Sequence, residues 1–157
     1  MNQLIPAPLE LEIVLNAGIE DVWAAWTTEE GIRSFFAPEC RFEARVGGPY
    51  EIYFLPNERE GHRGAEGTRV LSFEPMKFLS FTWNNPPSIP KIRWQYTTVS
   101  LYFETLNEKQ TRLKFIHHGW GPGEDWQKAR DYFYRAWNQA VIPRLIKMLE
   151  TGPVVWK

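Results

Sequence analysis

Residues 94–150, WQYTTVSLYFETLNEKQTRLKFIHHGWGPGEDWQKARDYFYRAWNQAVIPRLIKMLE, carry two different hydrophobic periods in succession. From Trp94 to Leu106, and again from Thr111 to His118, apolar and polar residues alternate, the period of a half-buried strand. Asn107-Glu108-Lys109 between them reads as a hairpin turn. Gly119-Trp120-Gly121-Pro122-Gly123 stops the sheet. Glu124 and Asp125 then place negative charge where the first turn of a helix favours it. Beyond them Trp126, Arg130, Phe133, Trp137, Ala140, Val141, Leu145 and Met148 form one stripe at helical spacing. The helix is expected to reach about Glu150 and to stop at Gly152-Pro153. Pro143 falls inside it, deletes the hydrogen bond to Gln139 and predicts a kink there. A long strand pair followed by one amphipathic helix packs most simply with the helix across the apolar face of the sheet.

The upstream sequence supplies the rest of that sheet. Leu9, Leu11, Ile13 and Leu15 alternate with polar residues as a first strand. Ile19, Val22, Trp23 and Trp26 make a short helical stripe, with Glu20 and Asp21 in its first turn. Thr27 and Glu30 have capping-box spacing for a second short helix through Phe35 and Phe36, which Pro38 ends. Residues 41–46, 50–55, 67–73 and 78–83 read as strands separated by Gly- and Pro-containing turns. Residues 84–91 hold Pro86, Pro87 and Pro90 and read as an extended loop. Short connections between successive strands imply an antiparallel meander. The expectation is one α+β unit over residues 1–157, without repeat or linker.

Bulk properties narrow the function. A formal charge of −1 lacks the basic surplus that phosphate neutralisation needs, so no nucleic-acid partner is expected. No stretch approaches the ~20 apolar residues of a membrane span, and Met1 to Pro8 has no basic or apolar leader character. The single cysteine, Cys40, makes no internal disulfide and implies no oxidising compartment. A cytoplasmic protein is the expectation. Aromatic residues make up 15% of the chain, enough to line a cavity as well as to fill a core.

Several stretches in this order resemble the START-like superfamily, and more narrowly the family named after the activator of the heat-shock-protein-90 ATPase. They are Ala17-Gly18-Ile19-Glu20-Asp21-Val22-Trp23, the segment from Gly31 to Pro38, Val46-Gly47-Gly48-Pro49-Tyr50, the block from Gly67 to Trp83, Thr111-Arg112-Leu113 with His117 to Gly119, and Trp137. Phe35 and Phe36 stand where the family usually has tryptophans, and the loop at 84–91 is longer than typical. The resemblance implies a helix-grip fold, a curved antiparallel sheet of about seven strands around the long C-terminal helix. It also implies a cavity between sheet and helix able to hold an apolar molecule.

The expected inward set is Phe35, Phe36, Tyr53, Trp83, Val99, Leu101, Phe103, Phe115, His117, Phe133 and Trp137, large rings with a few polar handles, and it is the candidate lining of such a cavity. A small hydrophobic or aromatic ligand is the first expectation. An enzyme of cyclase, dehydratase or hydrolase type is the alternative; it requires His117 to converge with an acid such as Glu104 or Glu51. By parity Glu104 points away from Phe103. A third possibility is a chaperone-accessory or homodimer contact through Pro86-Pro87-Ser88-Ile89-Pro90 or the tail Val154-Val155-Trp156.

No catalytic residue is assigned. His117 and His118 face opposite sides of a strand, and His62 fits no ligand spacing, so no metal is expected. The glycine run at 119–123 matches neither the dinucleotide nor the P-loop signature, and no cofactor is expected; a loop at the cavity mouth is the better reading. Cys40 reads as an idle thiol, and Arg69 and Arg93 as surface residues.

Overall fold

The computed structural model describes residues 4–157; the first three residues of the Met1–Pro8 stretch lie outside it. Strand β1 (Leu9–Leu15) is followed by helices α1 (Ile19–Thr27) and α2 (Glu29–Phe35). Then come β2 (Glu39–Phe42), β3 (Tyr50–Tyr53), β4 (Gly64–Ala65), β5 (Val70–Glu74), β6 (Phe78–Trp83), β7 (Thr97–Asn107) and β8 (Gln110–His118). The chain ends in α3 (Glu124–Ala136), a π-helical turn (Trp137–Val141) and α4 (Ile142–Thr151).

The strands form two antiparallel sheets, β1-β8-β7-β6-β5 and β2-β3-β4, rather than one meander of about seven. A bridge between Pro49 and Arg69, and amide bonds from Gly47, Val70 and Tyr50, stitch the two into one curved surface. The extra strand β4 is two residues long, too short to show as alternation. Gly64 within it takes φ +145°, and a Cβ there would stand 2.3 Å from the Ile52 carbonyl oxygen, so only glycine allows this close pairing. Several strand ends also differ from expectation. The segment before Thr97 is a turn, because Arg93 and Asn85 hold it off the sheet.

Helix α2 is capped one residue later than the spacing implied. The Thr28 hydroxyl accepts from the Gly31 amide at 2.9 Å, while the Thr27 hydroxyl donates to the Trp23 carbonyl. The expected kink at Pro143 takes a specific form. The Ile142 amide reaches back five residues to the Trp137 carbonyl, and Pro143 lies in the first turn of α4. Proline is tolerated there because that position's amide has no helical partner to lose. The missing donor is thus absorbed by a π bulge, a common cause of helix irregularity near functional sites.

The apolar faces of sheet and helices meet in one aromatic core. Trp26, Phe35, Phe36, Phe81, Phe115 and Trp137 are all buried within it. The tail folds back on the body of its own chain: the Val154 amide donates to Ser34, and the Trp156 indole donates to the Arg33 carbonyl. Among the described residues no helix is long and apolar enough to cross a membrane.

Candidate functional site

A pocket of ≈ 370 Å³ opens at one end of the core, where β6 ends and the C-terminal helix passes over it. Trp83, Phe133 and Trp137 form its floor and helix side, with Ala136, Ala140 and Val141 beside them. The segment from Phe54 to Ala65 and the loop after Trp83 close the other sides. Polar groups on the walls are Asn84, Asn85, Arg93, Arg144 and Tyr132, and neither Asp nor Glu is among the lining residues. Volume and composition fall within the range of small-molecule sites. A larger but more open groove of ≈ 720 Å³ lies between α1, α2 and α4, with Asp21, Glu30 and Arg33 at its edges and no aromatic wall.

The structure places the sequence-predicted lining residues in three groups. Trp83, Phe133 and Trp137 line the pocket. Phe35, Phe36, Val99, Leu101, Phe115 and His117 are buried in the solid core around it. Phe36 forms a second layer, its ring 5.7 Å from Trp83 and 5.8 Å from Trp137. Phe103 is farther along β7 and packs edge-on against Trp23 of α1. Tyr53 lies on the face of β3 opposite Tyr50 and Ile52, and its hydroxyl donates to Glu51. Phe54, one residue on, is the ring that reaches the pocket.

The loop at 84–95 is not simply extended; polar side chains staple it. Asn85 donates from Nδ2 to the carbonyls of Ile92 and Gln95, both at 2.8 Å. Arg93 is 4% exposed rather than a surface residue. Its guanidinium donates to the carbonyls of Gly61, Gly64 and Asn85 and lies 3.5 Å from the buried Glu66 carboxylate. Burial alone would raise the Glu66 carboxyl, but the amides of Gly61 and Arg63 and the Arg63 guanidinium hold it below the usual range. This network locks the two loops that wall the pocket against each other. Among the described residues Asn85 Oδ1 finds no hydrogen-bond partner, although it is buried. No periodicity signals such staples; the only cue was the Asn84-Asn85 pair and an arginine in a proline-rich stretch.

His117 is fully buried, and each of its ring nitrogens is engaged. An indole nitrogen only donates. The Trp137 N–H at 3.0 Å therefore makes Nδ1 an acceptor, so Nε2 carries the proton and donates to the Thr97 hydroxyl at 2.7 Å. Thr97 passes the chain on to the Trp83 carbonyl at 3.1 Å. Burial, with His118 as a smaller contribution, holds His117 well below the usual histidine range. The residue pins two walls of the pocket and keeps the neutral form. Glu104 is exposed and pairs with Arg112, and Glu51 is held by Tyr53 and Gly67, so neither acid meets His117. Burial pushes the Cys40 thiol up to about 11, with Glu29 adding to the shift, which leaves it protonated at neutral pH. Trp120 of the glycine run packs inward against His117 and Phe133, and that run does not line the pocket mouth. Among the described residues no cluster of His, Cys, Asp and Glu is arranged to hold a metal.

The neutral His117 makes stability pH-dependent. Unfolding releases it to protonate near its ordinary value of about 6.5, so the unfolded chain binds more protons below that pH and stability falls with it. Between pH 7 and pH 5 the wild type is expected to lose up to about 1.4 kcal/mol per pH unit more than His117→Gln, measured by urea denaturation. Equal pH slopes would mean that His117 takes up its proton as readily in the fold as in the unfolded chain.

A curved antiparallel surface gripping a long C-terminal helix, with an aromatic pocket at the point of contact, defines a helix-grip α+β fold. The family model described as Activator of Hsp90 ATPase homolog 1-like protein matches residues 16–150, and the chain belongs to that family. Among solved structures, the chain is similar to the protein MLL2253 from Mesorhizobium loti, at 22% identity and TM-score 0.74 over 94% of this chain and 100% of that one. It is also similar to Aha1 from Colwellia psychrerythraea, described as a dimer in solution (20% identity, TM-score 0.66, 94% and 98% covered). A third likeness is to PFC0360w from Plasmodium falciparum, described as an HSP90 activator (15% identity, TM-score 0.67, 95% and 99% covered). At these identities the likeness is one of fold. No curated protein matches the chain.

Proposed function

We propose that the chain binds a small hydrophobic or aromatic molecule in the pocket between Trp83, the 84–95 loop and the C-terminal helix. The observation that carries this reading is a pocket walled by Trp83, Phe133, Trp137 and Phe54 with only a few polar groups among them. Such a lining rewards burial of an apolar ring, while isolated polar groups fix its orientation. Arg144, part-buried on the wall, is one such group.

The test is native mass spectrometry of freshly purified protein, followed by thermal-shift titration with aromatic compounds. A ligand that binds only the folded state raises Tm in a dose-dependent way. Ala140→Phe should fill the pocket and remove that shift while changing the stability of the free protein by about 1 kcal/mol or less. A shift that survives Ala140→Phe unchanged would move the site elsewhere.

A chaperone-accessory contact is the second reading, favoured by the family match and by Trp94, Tyr96 and Tyr132 exposed around the same loops. It predicts that adding the chain raises the ATP turnover of an Hsp90-type chaperone. Unchanged turnover would leave the ligand reading alone.

A further inference from the structure

Arg144 stands on α4 just past the π-helical turn and forms part of the pocket wall. One edge of its guanidinium is fully used: Nε donates to the Phe35 carbonyl at 2.8 Å and Nη2 to the Phe36 carbonyl at 3.0 Å, capping the end of α2. The Trp156 ring covers one side, 5.2 Å from the guanidinium carbon. Nη1 has no hydrogen-bond partner among the described residues, and no carboxylate among them lies within 4.0 Å of the group.

The other arginine of the pocket is matched. Arg93 faces Glu66 and is surrounded by carbonyls. With no Asp or Glu on the walls, Arg144 is a part-buried positive charge without a counter-ion, set beside apolar rings. A charge withdrawn from water and left unpaired is unfavourable, and an anion brought to it gains a charge-assisted hydrogen bond at reduced dielectric.

We propose that the molecule this pocket takes is an amphipathic acid, an apolar or aromatic body with a carboxylate that pairs with Nη1 of Arg144. This inference rests on the pocket being a ligand site. The body lies against Trp83, Phe133 and Trp137. The acid group points along the helix toward α2, so Arg144 sets both the charge and the orientation of what is bound.

A matched pair of compounds tests it: 1-naphthaleneacetate and 1-naphthaleneacetamide, which share size and ring but differ in charge. Isothermal titration at pH 7.5 on the full chain should show the acid binding about tenfold or more tighter than the amide. In Arg144→Gln the ratio of the two affinities should shrink to within about twofold, whatever happens to their absolute values, and Arg144→Lys should restore part of the preference. Equal affinity for the two compounds in the wild type, or a preference that Arg144→Gln leaves intact, overturns the acid assignment and spares the pocket. Binding of neither compound overturns the pocket reading and this one with it. The wild-type comparison needs no variant, so a loss of α2 packing in Arg144→Gln does not obscure the result.

Discussion

Replacing Trp137 with alanine is expected to cost about 4 kcal/mol, a large share of the stability of a domain this size. The indole is 1% exposed and lies within 6.4 Å of the rings of Phe36, Trp83, Phe115 and Phe133. Its removal leaves a cavity that those rings cannot all collapse into, and it strips the donor from His117 Nδ1. Trp137→Phe keeps most of the packing and loses only the hydrogen bond, so about 2 kcal/mol is expected. His118, on the outer face of the same strand and part-exposed, should change stability by about 0.5 kcal/mol or less as alanine. Urea denaturation followed by tryptophan fluorescence separates the three. If Trp137→Phe costs as much as Trp137→Ala, the bond to His117 rather than the packing dominates.

Arg93→Met should be the most damaging change outside the core, at about 3 kcal/mol. The substitution leaves the carbonyls of Gly61, Gly64 and Asn85 without their donor and removes one of the two cations beside Glu66. Arg63, the other cation, is more exposed and is expected to cost about 1 kcal/mol when changed to methionine. Beyond stability, Arg93→Met should release the loop at 84–95, and the pocket wall with it. Thermal-shift responses to aromatic compounds should therefore weaken in Arg93→Met and persist in Arg63→Met. Equal stability losses in the two would show that the buried network does not depend on Arg93.

Residues whose placement follows from periodicity were legible in the sequence. Alternation in β1, β7 and β8 fixed which side chains face inward, His117 and Phe115 included, and the helical stripe placed Phe133 and Trp137 against the sheet. The extent of the pocket was not legible. Parity tells inside from outside, but not which inside residues meet open space. Phe35, Phe36, Val99, Leu101 and Phe115 are as inward as Trp83, yet they are buried in the solid core, and Phe103 packs on Trp23 of α1. Tyr53 was misplaced: β3 keeps Tyr50 and Ile52 inward, and the same alternation carried one residue past the strand turns Phe54, not Tyr53, to the pocket. The π-helical turn was half legible: Pro143 marked the break, but the shift of the Ile142 amide to a five-residue bond depends on what α2 and the sheet demand of Trp137 and Arg144. Arg93 was least legible of all, because an arginine in a loop is ordinarily solvated, and only a partner elsewhere in the chain, Glu66, makes burial tolerable.

The stapled loop has a kinetic meaning. Under the proposed ligand-binding function, a wall already held by Asn85, Arg93 and Glu66 has little left to order when a guest arrives, so the entropy normally spent in closing a mobile lid would not be subtracted from affinity. Encounter with such a site is governed by diffusion to its mouth, and guests of similar size should arrive at similar speed. Discrimination among them then rests on how long each one stays.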